Sequence, residues 1–151
     1  VQIRAFKKQL QLAKRLKLPV IIHCRDAFVE ALQILDEEKN TSVVFHCFTG
    51  TLVQAKACWE RGYFTSFTGI CTYPQAGNVR AVIAHAPLEK IMIESDCPFL
   101  APQNHRGKRN EPSFLLETFQ KISEIKKVPA EVLEKVLEEN THRFFGIDNF
   151  N

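Results

Sequence analysis

The chain has 151 residues, 25% of them charged and 45% hydrophobic, the balance of one soluble globular domain able to bury its own core. A net charge of +3 with a pI near 8.6 tolerates an anionic substrate but falls short of a nucleic-acid footprint. No signal-peptide pattern and no bilayer-length apolar run occur, and the five cysteines (Cys24, Cys47, Cys58, Cys71 and Cys97) lack Cys-x-x-Cys or zinc-finger spacing, so a soluble protein of the reducing cytoplasm without a membrane partner is expected.

Taken in chain order, helix and strand alternate with short joints. Ile3, Phe6, Leu10, Leu12, Ala13 and Leu16 recur at helical spacing, and Leu18 to Cys24 reads as a strand opened by Pro19. A helix from Asp26 to about Glu38, with Asp26 or a neighbour as N-cap, turns Phe28, Ala31, Leu32 and Leu35 inward. Strand Ser42 to Phe48, a helix from about Leu52 to Arg61 stopped by Gly62, and strand Tyr63 to Thr68 ending at Gly69 follow. After a loop with Pro74 and Gly77 come a helix around Asn78 to His85 and a fourth strand, Ile91 to Ser95. The segment from Cys97 to Pro112 is a loop long enough to suggest a role in function. Two helices close the chain, about Ser113 to Lys126 and Ala130 to Phe145, the second capped by Gly146. Repeated strand-helix units with short joints predict an α/β fold on a parallel sheet with right-handed crossovers, in a single domain covering 1–151.

The chemistry gathers where the strands stop. Leu18-Pro-Val-Ile-Ile-His23, Ser42-Val-Val-Phe-His46 and Lys90-Ile-Met-Ile-Glu-Ser-Asp96 are apolar strand patterns ending on residues able to bind a metal. The C-terminal edges of such strands carry the ligands and catalytic groups of α/β proteins. Imidazole nitrogens and a carboxylate suit a divalent cation, and the carboxylate can also take a proton from an attacking water. Singly, each His reads more readily as a hydrogen-bonded core residue, and Asp96 equally as a helix cap or an arginine partner; the repeated placement favours a metal-dependent hydrolase. Arg25, directly after His23, offers a fork for a phosphate or carboxylate, or else a surface ion pair. His105, Arg106, Lys108 and Arg109 form a basic cluster suited to a polyanion, or a solvated loop. Gly50 permits a tight turn and close approach of a substrate. Strand alternation assigns Cys24 and Cys47 to packing on the face opposite the histidines, and His85 and His142 read as structural.

Five ordered segments carry a family resemblance: Ile21-Ile-His-Cys-Arg-Asp26, Phe45-His-Cys-Phe-Thr-Gly50, Ser66-Phe-Thr-Gly69, Glu94-Ser-Asp-Cys-Pro98 and Arg109-Asn-Glu-Pro112. Together with Asn140-Thr-His-Arg-Phe-Phe-Gly146 they make the chain resemble the TatD family of metal-dependent deoxyribonucleases, within the amidohydrolase-like superfamily. The resemblance implies a distorted TIM-barrel-like fold and hydrolysis of DNA phosphodiester bonds at a two-metal site using Mg, Mn or Zn. It further implies His23, His46 and Asp96 as metal ligands, Asp96 also in activation of water; Arg25, Arg106 and Arg109, read from their charge and position, are the expected substrate-binding residues.

The family's opening His-x-His pair and its later Gly-Glu-Ile-Gly-Leu-Asp-like segment with a bridging Glu do not occur in these residues. The chain therefore reads as the last four βα units of a barrel, its first residue Val1 suggesting a piece of something longer, and impaired catalysis by this chain alone is expected. The other readings are a different metallohydrolase of the superfamily and an inactive half-barrel that binds nucleic acid or a partner. Open strand edges point to a homodimer or to pairing with a separate N-terminal segment of the same protein.

Overall fold

In the computed structural model, which describes residues 1–39 and 42–147, four short strands form one parallel sheet in the order β1-β2-β3-β4. They are β1 (Val20–Ile22), β2 (Val43–Phe45), β3 (Phe64–Phe67) and β4 (Ile91–Ile93). The register pairs Val20 with Val43, Ile22 with Phe45, Val44 with Phe64 and Phe67 with Ile93. Strands adjacent in space are also successive in sequence, as in consecutive units of a (β/α) barrel.

Six α-helices accompany the strands among the described residues: α1 (Gln2–Leu16), α2 (Phe28–Glu38), α3 (Leu52–Glu60), α4 (Gly77–His85), α5 (Leu115–Lys126) and α6 (Ala130–Phe145). The strongest local start signal belongs to α3. The Thr51 hydroxyl accepts the Gln54 N–H, while the Gln54 side chain accepts the Thr51 N–H at 2.8 Å, a reciprocal cap of two otherwise orphaned donors. For α2 the N-cap is Ala27, with no side-chain cap; Asp26 instead holds a left-handed backbone at φ 57°. Gly146 closes α6 at φ 64°, a conformation that glycine enters without a Cβ penalty.

The pleat separates two apolar sets. Ile22, Val43, Phe45, Phe67 and Ile91 face the helices and pack with Leu10, Leu35, Cys58, Val82, Ile122 and Leu133 in the main core. On the reverse face Val44, Phe64 and Met92 form a second cluster with Phe144 of α6, whose ring meets Phe64 edge-on at 5.6 Å. Thr65, fully buried in the sheet, is satisfied by the indole N–H of Trp59 at 3.1 Å.

The strands are shorter than the sequence pattern predicts, because the chain turns sharply soon after each one. Cys47 and Asp96 take left-handed backbones, at φ 47° and 54°. The polar residues expected at strand ends therefore lie just beyond the ladder, on connecting segments. The long loop is likewise less irregular than expected, since short 3-10 turns at Gln103–His105 and Pro112–Phe114 subdivide it and α5 starts only at Leu115.

The closing helix does more than cover the sheet. Asn140, 1% exposed, donates its side-chain amide to the carbonyls of Leu88 (2.8 Å) and Ile91 (2.7 Å), which fixes the turn feeding β4. Arg143 donates to Glu89 O at 2.6 Å and to Asn140 Oδ1 at 2.8 Å, completing the clamp. Glu94 and Asp96 follow directly after β4, so this clamp holds the strand that delivers them. Asn140→Ala strands one buried and one part-buried carbonyl without removing apolar packing, and a loss of about 2–3 kcal/mol in urea unfolding is expected. A change within measurement error would show that the clamp contributes nothing.

Candidate functional site

Along β1, β2 and β4 the pleat sends Ile21, Val44 and Met92 to one side of the sheet, and two residues further on His23, His46 and Glu94 continue on that side. The result is a cluster at the C-terminal edge. The His23 and His46 rings lie 5.5 Å apart between centroids, tilted by 38°. His46 Nδ1 is 2.8 Å from Glu94 Oε2, and His46 Nε2 is 3.9 Å from Asp96 Oδ1. His46 is mostly buried, whereas His23 is exposed.

These groups open onto a cavity of about 670 Å³, lined by His23, Arg25, His46, Cys47, Gly50 and Asp96 among others. That size suits a small-molecule or single-nucleotide site. Arg25 approaches its neighbour Asp26 at 3.7 Å, but both side chains are almost fully solvated, so the contact ties up little of the guanidinium. Gly50 owes its place to contacts: a Cβ there would lie 2.6 Å from Gln54 Oε1 and 2.8 Å from the Phe48 ring, breaking the cap of α3 at the cavity wall. At Gly69 a Cβ would meet Leu100 O at 2.7 Å and Pro102 N at 2.9 Å, so the missing side chain lets the segment after Asp96 lie directly against the end of β3.

Cys24 packs against the main core on the helix face, as alternation expects, and also reaches the cavity wall. Cys47 corrects the alternation argument: it lines the cavity beside His46, its left-handed backbone at φ 47° breaking the pleat just after β2. Burial pushes the Cys47 thiol up from its ordinary value; the Thr68 hydroxyl, 3.5 Å from its sulfur, opposes this and the charges of Glu94 and Asp96 add to it.

The basic cluster of the long loop does not line the cavity. The Arg106 guanidinium lies 4.5 Å over the Tyr73 ring, and His105 stacks on Phe114 at 3.7 Å while bonding Glu117 at 2.7 Å. Arg109 is also outside the cavity lining. Two contributors lay outside the sequence reading. Glu94 bonds His46 and the backbone of Cys47, and Asn110, 3% exposed, fastens the loop by donating to Ser95 O and Phe99 O, each at 2.6 Å. The signal for Glu94 was its spacing: it stands two residues beyond Met92, as His46 stands two beyond Val44.

As donors for a divalent cation, His23, His46 and Asp96 have suitable chemistry. The 3.9 Å gap from His46 Nε2 to Asp96 Oδ1 is shorter than a zinc–nitrogen plus a zinc–oxygen bond, together about 4.2 Å, so one ion can touch both. Among the described residues, no three His, Cys, Asp or Glu side chains close into a complete metal-holding group. The residues fit as part of a shell.

A family model described as "TatD related DNase" matches residues 1–146. Over 150 residues the chain is 39% identical to the uncharacterized metal-dependent hydrolase YabD of Bacillus subtilis (strain 168), covering 98% of this chain and 59% of YabD. Over 153 residues it is 36% identical to the 3'-5' ssDNA/RNA exonuclease TatD of Citrobacter rodentium (strain ICC168), covering 97% of this chain and 59% of that protein. Among solved structures, the TatD homolog YJJV from Escherichia coli K12 superposes with a TM-score of 0.88 at 33% identity, over 93% of this chain and 54% of that one. The chain thus spans little more than half the length of the relatives it matches.

The five free thiols report on this arrangement. Cys58 and Cys71 are fully buried and pushed up to about 12, Cys24 and Cys47 are half-buried at the cavity, and Cys97 is exposed. Alkylation followed by mass spectrometry is expected to modify Cys97 first, Cys24 and Cys47 more slowly, and Cys58 and Cys71 only after unfolding. Early labelling of Cys58 or Cys71 in the folded chain would contradict the packing described.

Proposed function

This chain belongs to the TatD-related DNase family, and we propose that it carries the histidine–aspartate part of a metal-dependent site that hydrolyses phosphodiester bonds of DNA. The observation that carries the reading is the meeting of His23, His46 and Asp96 on one cavity at the C-terminal edge of a parallel sheet. The naming of one relative as a 3'-5' ssDNA/RNA exonuclease and of another as a metal-dependent hydrolase supports it.

In this reading His23 and His46 would hold a divalent ion through neutral imidazole nitrogens, and Asp96 would both help hold it and accept a proton from water. A divalent ion, Mg, Mn or Zn, supplies Lewis-acid polarisation of the phosphoryl oxygens and activation of water when bound. Arg25, solvated and facing the cavity, anchors the phosphate by its paired donors. Arg106 and Arg109, outside the cavity lining, act on more distant phosphates of the strand. The cytoplasm is the compartment that suits five unpaired thiols. No helix among the described residues is long and apolar enough to cross a membrane.

One observation favours a second reading, an impaired or inactive half-barrel that binds nucleic acid or a partner: the described side chains close no three-residue metal group. A phosphodiesterase site that works as a unit does not keep proportionate activity when part of its shell is absent. The purified 151-residue chain is therefore expected to cleave single-stranded DNA weakly or not at all with Mn²⁺ or Mg²⁺. Robust cleavage that EDTA abolishes and Asp96→Asn removes would overturn the impairment and establish the nuclease reading outright.

The same reading bears on association. β1 and β4 are the outer strands of the sheet, and Ile21 of β1 is 58% exposed beside Ile3, itself 58% exposed. Unpaired edges flanked by apolar surface seek a partner, here a second copy or a separate N-terminal segment of the same protein. Light scattering across a dilution series is expected to show concentration-dependent mass. A monomer at every concentration, with nothing bound, would count against it.

A further inference from the structure

Glu94 forms two short bonds that the site as assigned above does not use. Its Oε2 lies 2.8 Å from His46 Nδ1, and its Oε1 accepts the backbone N–H of Cys47 at 2.6 Å. An ionised carboxylate can only accept, so the ring nitrogen facing it must carry the proton. With both oxygens engaged, on a side chain and on the main chain next to it, the carboxylate has no free rotation left to offer the ring another arrangement.

The backbone contributes to this. Cys47 adopts φ 47°, an unusual conformation for a residue with a side chain, and in it the Cys47 N–H points at Glu94. The bond from that N–H to Oε1 sets which way the carboxylate faces, and Oε2 is left for the ring. The other ring nitrogen, Nε2, is directed towards Asp96 across 3.9 Å, too far for a hydrogen bond between them.

We propose that Glu94 is a positioning residue that locks His46 in its Nδ1–H tautomer and so presents an unprotonated Nε2 to the cavity. The consequence for metal binding rests on the function proposed above; the tautomer does not. Partners of this kind fix a ligating imidazole's orientation and raise its basicity, and losing one typically lowers metal affinity 10- to 100-fold.

Glu94→Gln gives a sharp test, because it preserves size while reversing the sense of one bond. The Cys47 N–H continues to demand an oxygen, which turns the new amide nitrogen towards His46. That nitrogen donates, so Nδ1 must now accept and the proton moves to Nε2.

Long-range ¹H–¹⁵N correlation spectra of the metal-free chain at about pH 8, above the ordinary histidine range, read the tautomer directly. His46→Gln serves only to assign the resonance. The expected result is Nδ1–H in the wild type and Nε2–H in Glu94→Gln. Nε2–H in the wild type overturns the proposal whether or not the variant folds, and an unchanged Nδ1–H tautomer in a folded variant does so too. Calorimetric titration with Zn²⁺ supplies the second readout. A loss of affinity of about 10-fold or more in the folded variant is expected; equal affinity overturns the positioning role. Failure of the wild type to bind Zn²⁺ removes the metal reading of the site, while the tautomer still decides the role of Glu94.

Discussion

The parallel register of the sheet is the constraint on which the site depends. Val44 lies between Ile21 and Phe64, and Ser66 pairs with Met92, so one face of the pleat runs continuously across all four strands. His23, His46 and Glu94 stand two residues beyond Ile21, Val44 and Met92 and inherit that face. A slip of one residue in any strand would turn its polar end towards the helices, where an imidazole or carboxylate would need a new partner. Helix-face packing makes the slip costly. Phe45, Phe67 and Ile91 are all but inaccessible to solvent, and exchanging one of them for a reverse-face residue would open a void of side-chain size.

The two ends of the sheet are built differently. At the strand starts α6 brings Phe144 against Val44, Phe64 and Met92, with Lys90 and Arg143 over the Phe64 ring at 5.2 and 5.4 Å, while Asn140 satisfies the carbonyls of the turn into β4. Apolar contact and satisfied polar groups dominate there. At the strand ends Asp26, Cys47, Asp96 and Leu100 all hold left-handed backbones, and half-buried charged groups face one another. Strain of this kind persists only where surrounding structure over-determines it. Asn110 and Gly69 supply that restraint: one bonds the carbonyls flanking Asp96, and the other lets the segment after it press against β3. The strand starts stabilise; the strand ends hold reactive groups in place.

What the sequence disclosed follows from the same division. Short apolar runs ending in His23, His46 and Asp96 were legible, because burial on both faces of the inner strand β2 leaves an unbroken hydrophobic signature, which β1 keeps although Ile21 is exposed, and its interruption marks the edge. The helices were legible from their periodicity to within two residues, α5 included, where the 3-10 turn Pro112–Phe114 precedes the helix. Alternation held for Cys24, which packs against the main core, and failed at Cys47, where a left-handed backbone breaks the pleat. The basic loop shows a different limit of sequence. Arg106 and His105 spend their faces on Tyr73, Phe114 and Glu117, and a string of charges carries no record of such local partners.

Glu94 shows where a sequence reading loses a residue that geometry recovers. Glu94 stands two residues before Asp96, yet the two do different things because backbone direction separates them. Glu94 continues the pleat, and its N–H still bonds Phe67 O at 3.0 Å, whereas Asp96 follows a left-handed turn and looks back across the cavity at the far side of the same imidazole. One ring is thus addressed by two carboxylates on opposite nitrogens, at 2.8 and 3.9 Å. The nearer is close enough to take a hydrogen bond and so dictates the proton; the farther leaves a gap that a shared cation would span. The asymmetry between these distances gives His46 a single orientation and a single free lone pair.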